Sequence, residues 1–382
     1  MNTFNGSRLK EARYFNMMSI TELASHLDVS KQMVSKYENG KSNPSPDVFF
    51  KIVTTLGFPQ NFFTGFNKIK IDRSGTFYRS RMTATQKQKA PSDSLKTAAA
   101  VYRDYLNDFV EFPAMNEIDF EDEDNIAEKA MFLRRKWGLG ENPIPNMIDL
   151  LESKGFVVVL LPDKMEKVDA FSTYVTVNNH KYYTVLSAGE SYSFYRQQFT
   201  LAHELGHWAL HADIIDPQEL DIAEYKHMED EANLFASNFL LPRESFTSAA
   251  KPFLHNIDNY KLLKKQWFVS IGAIVKRVSD LRLIDADTIK KFQKQISYRR
   301  WRISEPFDNT VPIARPTALK QATELVVDNN IVSPYAIPNN INEKYGIKYP
   351  ANLLEKIAEL PSHYMDYSNP SKVVQLKNKF EH

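Results

Sequence analysis

The sequence predicts a multidomain chain, mainly α-helical, folded around one α+β core. Three observations carry that prediction. The chain has 382 residues, more than one compact core holds, so two to four domains are expected. Residues 7–65 carry short, closely spaced helical patterns. From about residue 126, helical segments alternate with three runs of strand length, and then comes a long helix containing "HELGH".

The N-terminal segments justify themselves one by one. Leu9 and Ala12, then Leu23, Ala24 and Leu27, then Val34 and Tyr37, then Ile52, Val53 and Leu56 fall at helix spacing, so each short helix offers one apolar face to a small bundle. "SITE" (Ser19 to Glu22) is a capping box, Ser30 is a further N-cap, and Gly40 with Pro44 ends the third helix. "RLKEAR", "SITELASHLDVSKQMVSKYENGKSNPS" and "KIVTTLG" together resemble XRE-type helix-turn-helix domains in order and spacing. The resemblance implies a five-helix bundle over residues 1–65 whose third helix reads double-stranded operator DNA. Lys31, Gln32, Ser35, Lys36 and Asn39 would then face bases or phosphates. One departure is Ile20, which stands where the family usually has glutamine, so one phosphate contact is put in doubt.

Residues 66–125 read as a basic linker and helical connector. Lys68, Lys70, Arg73, Arg79, Arg81, Lys87 and Lys89 face only Asp72 there, a pattern that suits a solvated face or a path along phosphates. The acidic "NEIDFEDEDNIAE" marks a boundary. Beyond it "IAEKAMFLRRKWGL" and "IPNMIDLLESKG" read as helices, and "FVVVLLP", "AFSTYVTVN" and "KYYTVLS" as strands. The long helix runs from about Ser191 to His211.

On that helix His203 and His207 are one turn apart on one face, so both imidazoles can reach one Zn²⁺, with Glu204 beside the open coordination position. A catalytic zinc wants a third protein ligand. His211 lies two turns from His203, about 12 Å along the axis, too far for one ion, and is read as a supporting or substrate-facing group. Leu210 and Asp213 exclude the pattern with a third histidine in the same motif. The next helical segment, "KHMEDEANLFASNFLLP", offers Glu229, Asp230 and Glu231 in its first turn. Glu229 shares a face with Asn233, so Glu229 can ligate while Asn233 holds a histidine; Glu231 is the alternative ligand, and His227 is a candidate to stabilise an oxyanion.

"RQQFTLAHELGHWALH" followed by "EDEANLFASNFLLP" resembles the ImmA/IrrE family of zinc metallopeptidases. The likeness implies His203, His207 and Glu229 as ligands, Glu204 as base, and a zincin-like peptidase domain with a small sheet over 126–245. "LLKKQWFVSIGAIVKRVSDLRLID" and "WRISEP" continue it as a helical extension over 246–306, and 307–382 forms a small C-terminal module.

Composition narrows the classes. At 43% hydrophobic and 25% charged with 12 glycines, wholesale disorder and fibrous repeats are excluded. The absence of cysteine excludes disulfides, thiolate nucleophiles and cysteine metal sites. Net charge is +1, so affinity for nucleic acid must come from local patches. "MNTFNGSRLKEARYF" lacks the apolar run of a signal peptide and no segment approaches a membrane span. The expectation is therefore a cytoplasmic regulator without a membrane partner, binding a palindromic operator as a homodimer. Its zinc endopeptidase would cleave a helix-turn-helix repressor or antitoxin in a stress, prophage or toxin-antitoxin switch, as the family likeness implies. In a second reading the peptidase-like half senses a ligand or partner without hydrolysis; in a third the chain cuts itself near the basic linker. The strand at Tyr182 to Leu186, if at a sheet edge, would hold an extended substrate.

Overall fold

The computed structural model describes residues 4–65, 71–78, 86–116, 118–120, 125–161, 170–187, 189, 192–211 and 220–366. Parts of the basic stretch, 66–70 and 79–85, and the tail 367–382 lie outside the described residues.

The N-terminal bundle has five helices: α1 (Gly6–Phe15), α2 (Ile20–Leu27), α3 (Lys31–Glu38), α4 (Pro46–Leu56) and α5 (Gln60–Thr64). Local chemistry sets their ends. Ser19 accepts from the Glu22 amide while Glu22 accepts from the Ser19 amide, so two otherwise unsatisfied donors of α2 are answered reciprocally. Ser30 caps α3 at 3.2 Å and Ser45 caps α4, with Pro46 at its first position. Asp28 takes the left-handed conformation (φ 57°) that makes the turn between α2 and α3. Two contacts position α3 from behind. A Cβ on Gly6 would lie 2.0 Å from the Tyr37 carbonyl oxygen, so only glycine lets α1 approach there. Arg13 and Glu38, both buried, form a two-point ion pair with its second bond at 3.0 Å.

The second unit spans 70–104 and 111–317. Its order is β1 (Ile71–Tyr78), α6 (Gln86–Leu106), α7 (Ile126–Lys136), α8 (Met147–Ser153), β2 (Val157–Leu160), β3 (Ala170–Val177), β4 (His180–Ser187), α9 (Phe194–His211), α10 (Ile222–Leu240), α11 (Arg243–Ala250), α12 (Tyr260–Trp267), α13 (Ile271–Asp280) and α14 (Ala286–Tyr298). The last residues of α6, from Tyr105, belong to the first unit. The sheet has the order β1-β3-β4-β2, with β1–β3 and β3–β4 antiparallel and β2–β4 parallel.

Two expectations change here. Within the stretch read as a basic linker, Ile71–Tyr78 is an edge strand, pairing Ile71 with Val177 and Tyr78 with Phe171 around an irregularity at Ser74/Phe77. Conversely, β4 is interior in the strand order, bonded to β3 along its length and to β2 over Thr184 to Ser187, so Thr184 to Leu186 has no open edge for a substrate strand. Its residues from Tyr182 to Ser187 are all buried.

One apolar core joins Val158, Tyr183 and Val185 of the sheet, Leu201, Leu205 and Trp208 of α9, and Phe235 and Phe239 of α10. Large side chains such as these each contribute about 1.5–3 kcal/mol on burial. Buried Arg134 of α7 donates to the carbonyls of Phe239, Asn142 and Gly140, closing the end of α10.

α15 (Ala318–Asp328), α16 (Ile337–Tyr345) and α17 (Ala351–Ile357) follow. They fold with the N-terminal bundle in the first unit, which comprises 1–69, 105–110 and 318–382. Phe62 of α5 lies 6.3 Å from the Tyr349 ring, Gly65 passes close to the Gly346 carbonyl, and Lys344 pairs with Asp108 at 2.6 Å. Among the described residues no helix is long and apolar enough to cross a membrane.

Candidate metal centre

The centre is built where α9 and α10 cross. Gly206, the glycine of "HELGH", makes the close approach possible: a Cβ there would stand 3.0 Å from the Ala232 carbonyl and 3.1 Å from its Cα. That contact places the His203/His207 face of α9 against Glu229. α10 begins at Ile222, with Asp221 and Glu224 forming a capping box, so Glu229 lies two turns into the helix instead of in its first turn. The helix starts earlier than the sequence suggested because this cap precedes the apolar periodicity.

His203 Nε2 and His207 Nε2 are 3.0 Å apart, and the two Glu229 oxygens lie 3.4 Å from one or the other. Ligand atoms of these three residues all fall within 4.8 Å of one another. Both imidazoles are fully buried, while the Glu229 side chain keeps 15% exposure. Burial acts to raise the Glu229 carboxyl, but hydrogen bonds and charge from His203 and His207 outweigh it and hold the group well below the ordinary carboxylate range.

The outer hydrogen bonds fix which nitrogen faces inward. His203 Nδ1 donates to Asn233 Oδ1 at 3.1 Å. His207 Nδ1 meets His211 Nδ1 at 3.2 Å, and His211 Nε2 meets Glu231 at 3.1 Å. The chain His207 Nδ1–H to His211 Nδ1, then His211 Nε2–H to Glu231, satisfies every partner. It leaves the lone pairs of both Nε2 atoms and a carboxylate aimed at one point, which is the donor set of a divalent metal. Ligands at about 2.0–2.1 Å from a tetrahedral ion stand about 3.3–3.4 Å apart, the separation Glu229 keeps from each imidazole, while the two Nε2 atoms stand closer, at 3.0 Å. Burial, then the charge of His207, lowers the His211 pKa to about 4 against the opposing pull of Glu231.

Glu204 is fully buried and faces the sheet, where Ser172 Oγ donates to its Oε2. Ser172 is in turn 2.8 Å from the Tyr183 hydroxyl. Burial, reinforced by the Glu204 charge, raises Tyr183 well above the ordinary phenol range, so it stays a neutral donor. These two residues were missed in the sequence. A buried hydroxyl inside the apolar "AFSTYVTV" was the available signal, but its partner depends on strand register. His227 is 76% exposed, with its Nε2 3.4 Å from Glu231.

On α3, Lys31, Gln32, Lys36 and Asn39 are exposed and Ser35 is half-buried. The Asn39 amide nitrogen folds back onto the Ser35 carbonyl at 2.7 Å, capping its own helix.

Residues 9–59 match the helix-turn-helix family, and residues 151–279 match the IrrE N-terminal-like domain of the M78 peptidases, in that order along the chain. No curated protein matches the chain. Among solved structures, a Mycobacterium tuberculosis transcriptional regulator aligns at 20% identity with a TM-score of 0.29, over 48% of this chain and 52% of that one. The chain thus spans about half the length of that regulator.

Proposed function

We propose that this protein is a DNA-binding transcriptional regulator whose second unit is a zinc-dependent endopeptidase acting on a regulatory protein of the repressor or antitoxin type. The convergence of His203 Nε2, His207 Nε2 and the Glu229 carboxylate carries this reading. His203, His207 and Glu229 would hold the ion. When bound there, Zn²⁺ supplies Lewis acidity, polarising a carbonyl oxygen and acidifying water. The chain supplies the proton handling: Glu204 accepts a proton from water and returns it to the departing amine. Ser172, backed by Tyr183, orients the Glu204 carboxylate through Oε2. Asn233 and the His211–Glu231 pair hold the two imidazoles in the tautomers that present Nε2 inward. On the DNA side, Lys31, Gln32, Ser35, Lys36 and Asn39 are the contacts we assign, with a homodimer reading two half-sites.

Glu204→Gln tests the chemistry. It keeps the side-chain volume and should retain zinc and operator binding while lowering cleavage of a co-expressed partner by about 10²–10⁴-fold. A variant that cleaves at the wild-type rate would remove Glu204 from the mechanism. A sensor reading stays in view because His203, Glu204 and His207 are all fully buried, as suits an ion that reports occupancy without turning over substrate. An unchanged cellular response in Glu204→Gln would favour it.

A further inference from the structure

A cavity of about 900 Å³ adjoins the metal-ligand cluster, at the upper end of the roughly 300–1,000 Å³ usual for binding pockets. Three wall residues tie it to the centre. Thr200 lies one turn before Glu204 on α9, Asn233 bonds His203, and Asp230 follows Glu229 on α10. Of the three ligands His203 and His207 are sealed and Glu229 keeps 15% exposure, and Asn233, one turn along α10 from Glu229, lines the cavity.

The walls define what fits. Phe199, Leu234, Ile296 and Trp301 give them an apolar lining, and Leu234 is 41% exposed, an aliphatic side chain left in water at the rim. The charges are mostly spoken for. Asp280 is held by Lys276 at 2.6 Å, and Glu305 by Lys264 at 2.8 Å and by the amides of Ile271 and Gly272. Arg196, by contrast, donates to the Arg302 and Ile303 carbonyls, and the Arg302 side chain is exposed. Arg196 and Arg302 therefore line the cavity as cationic residues, with Asp230 as the remaining acidic one. Tyr192 and Arg196 also line a neighbouring cavity of about 540 Å³ that continues along residues 303–315. A compact small molecule does not need that length; an extended chain does.

We propose that this cavity is the polypeptide-recognition pocket beside the metal, taking a segment with a large apolar side chain against Phe199 and Trp301 and a carboxylate on Arg196 and Arg302. Planar guanidinium groups suit carboxylates through paired hydrogen bonds. The assignment rests on the hydrolytic reading, which is what requires a polypeptide next to the ion.

The test uses the zinc-loaded full chain and a random-sequence decapeptide mixture. Immobilised Glu204→Gln protein is allowed to retain peptides, which are sequenced, and wild-type protein is given the same mixture with cut positions read by mass spectrometry. Retained peptides should be enriched about fivefold in Asp or Glu near a large apolar residue. The enrichment should invert toward Lys and Arg when Arg196→Glu and Arg302→Glu are added to the immobilised protein, with zinc content unchanged. Arg302→Glu alone, at an exposed side chain, should weaken the acidic preference and guards against misfolding of the double substitution. Retention whose composition ignores both charge reversals overturns the pocket, and so does the absence of retention. Biased retention without wild-type cleavage leaves the pocket standing and removes the hydrolytic reading instead.

Discussion

The third helix of the N-terminal bundle, α3, and the histidine helix α9 both present polar residues along one face, but to opposite surroundings. On α3, Lys31, Gln32 and Lys36 stand in solvent; on α9, His203, Glu204 and His207 have no exposure and His211 has 5%. A polar side chain in water costs the fold nothing while it waits for a partner. A buried one must be answered inside the protein. The buried helix thus declares its chemistry through Asn233, Ser172, His211 and Glu231, whereas the exposed helix declares only where it is held, through Arg13–Glu38 and the Gly6 contact.

The largest effect should come from removing one inward-facing donor. His207→Ala leaves two ligands and should abolish stoichiometric zinc in metal analysis, with loss of the associated stabilisation by mass action, while operator retention persists. Loss of both together would erase the contrast between the two helices. Next is the anchor behind α3. Glu38→Ala strands the buried Arg13 guanidinium and should destabilise the first unit by about 3–5 kcal/mol, read as a lower denaturation midpoint. Smallest is the exposed face: Gln32→Ala should cost about 1–3 kcal/mol of operator affinity with no change in stability or zinc. If it destabilised the protein as much as Glu38→Ala, α3 would not be a surface waiting for DNA.

The same contrast explains what the sequence made legible. Caps such as Ser19/Glu22 and Ser30, and the His203/His207 pair, are local spacings that need no tertiary information. Glu229 was reachable through its shared face with Asn233. Ser172 and Tyr183 were not, because their meeting depends on the β3–β4 register and on which side of the sheet α9 packs. Ile71–Tyr78 hid for a related reason: its "IDRSGTFY" reads as polar and cationic, and only pairing with β3 makes it a strand. The packing of 318–366 with the N-terminal bundle joins opposite ends of the chain, which no local pattern encodes.

Direct metal analysis of the purified full-length protein after dialysis against zinc-free buffer tests the central claim most directly. One zinc per chain is the predicted result, falling below about a tenth of that in Glu229→Ala, since two imidazoles alone make an incomplete site. A wild-type protein that binds no stoichiometric zinc, or a Glu229→Ala protein that keeps its full complement, would contradict it.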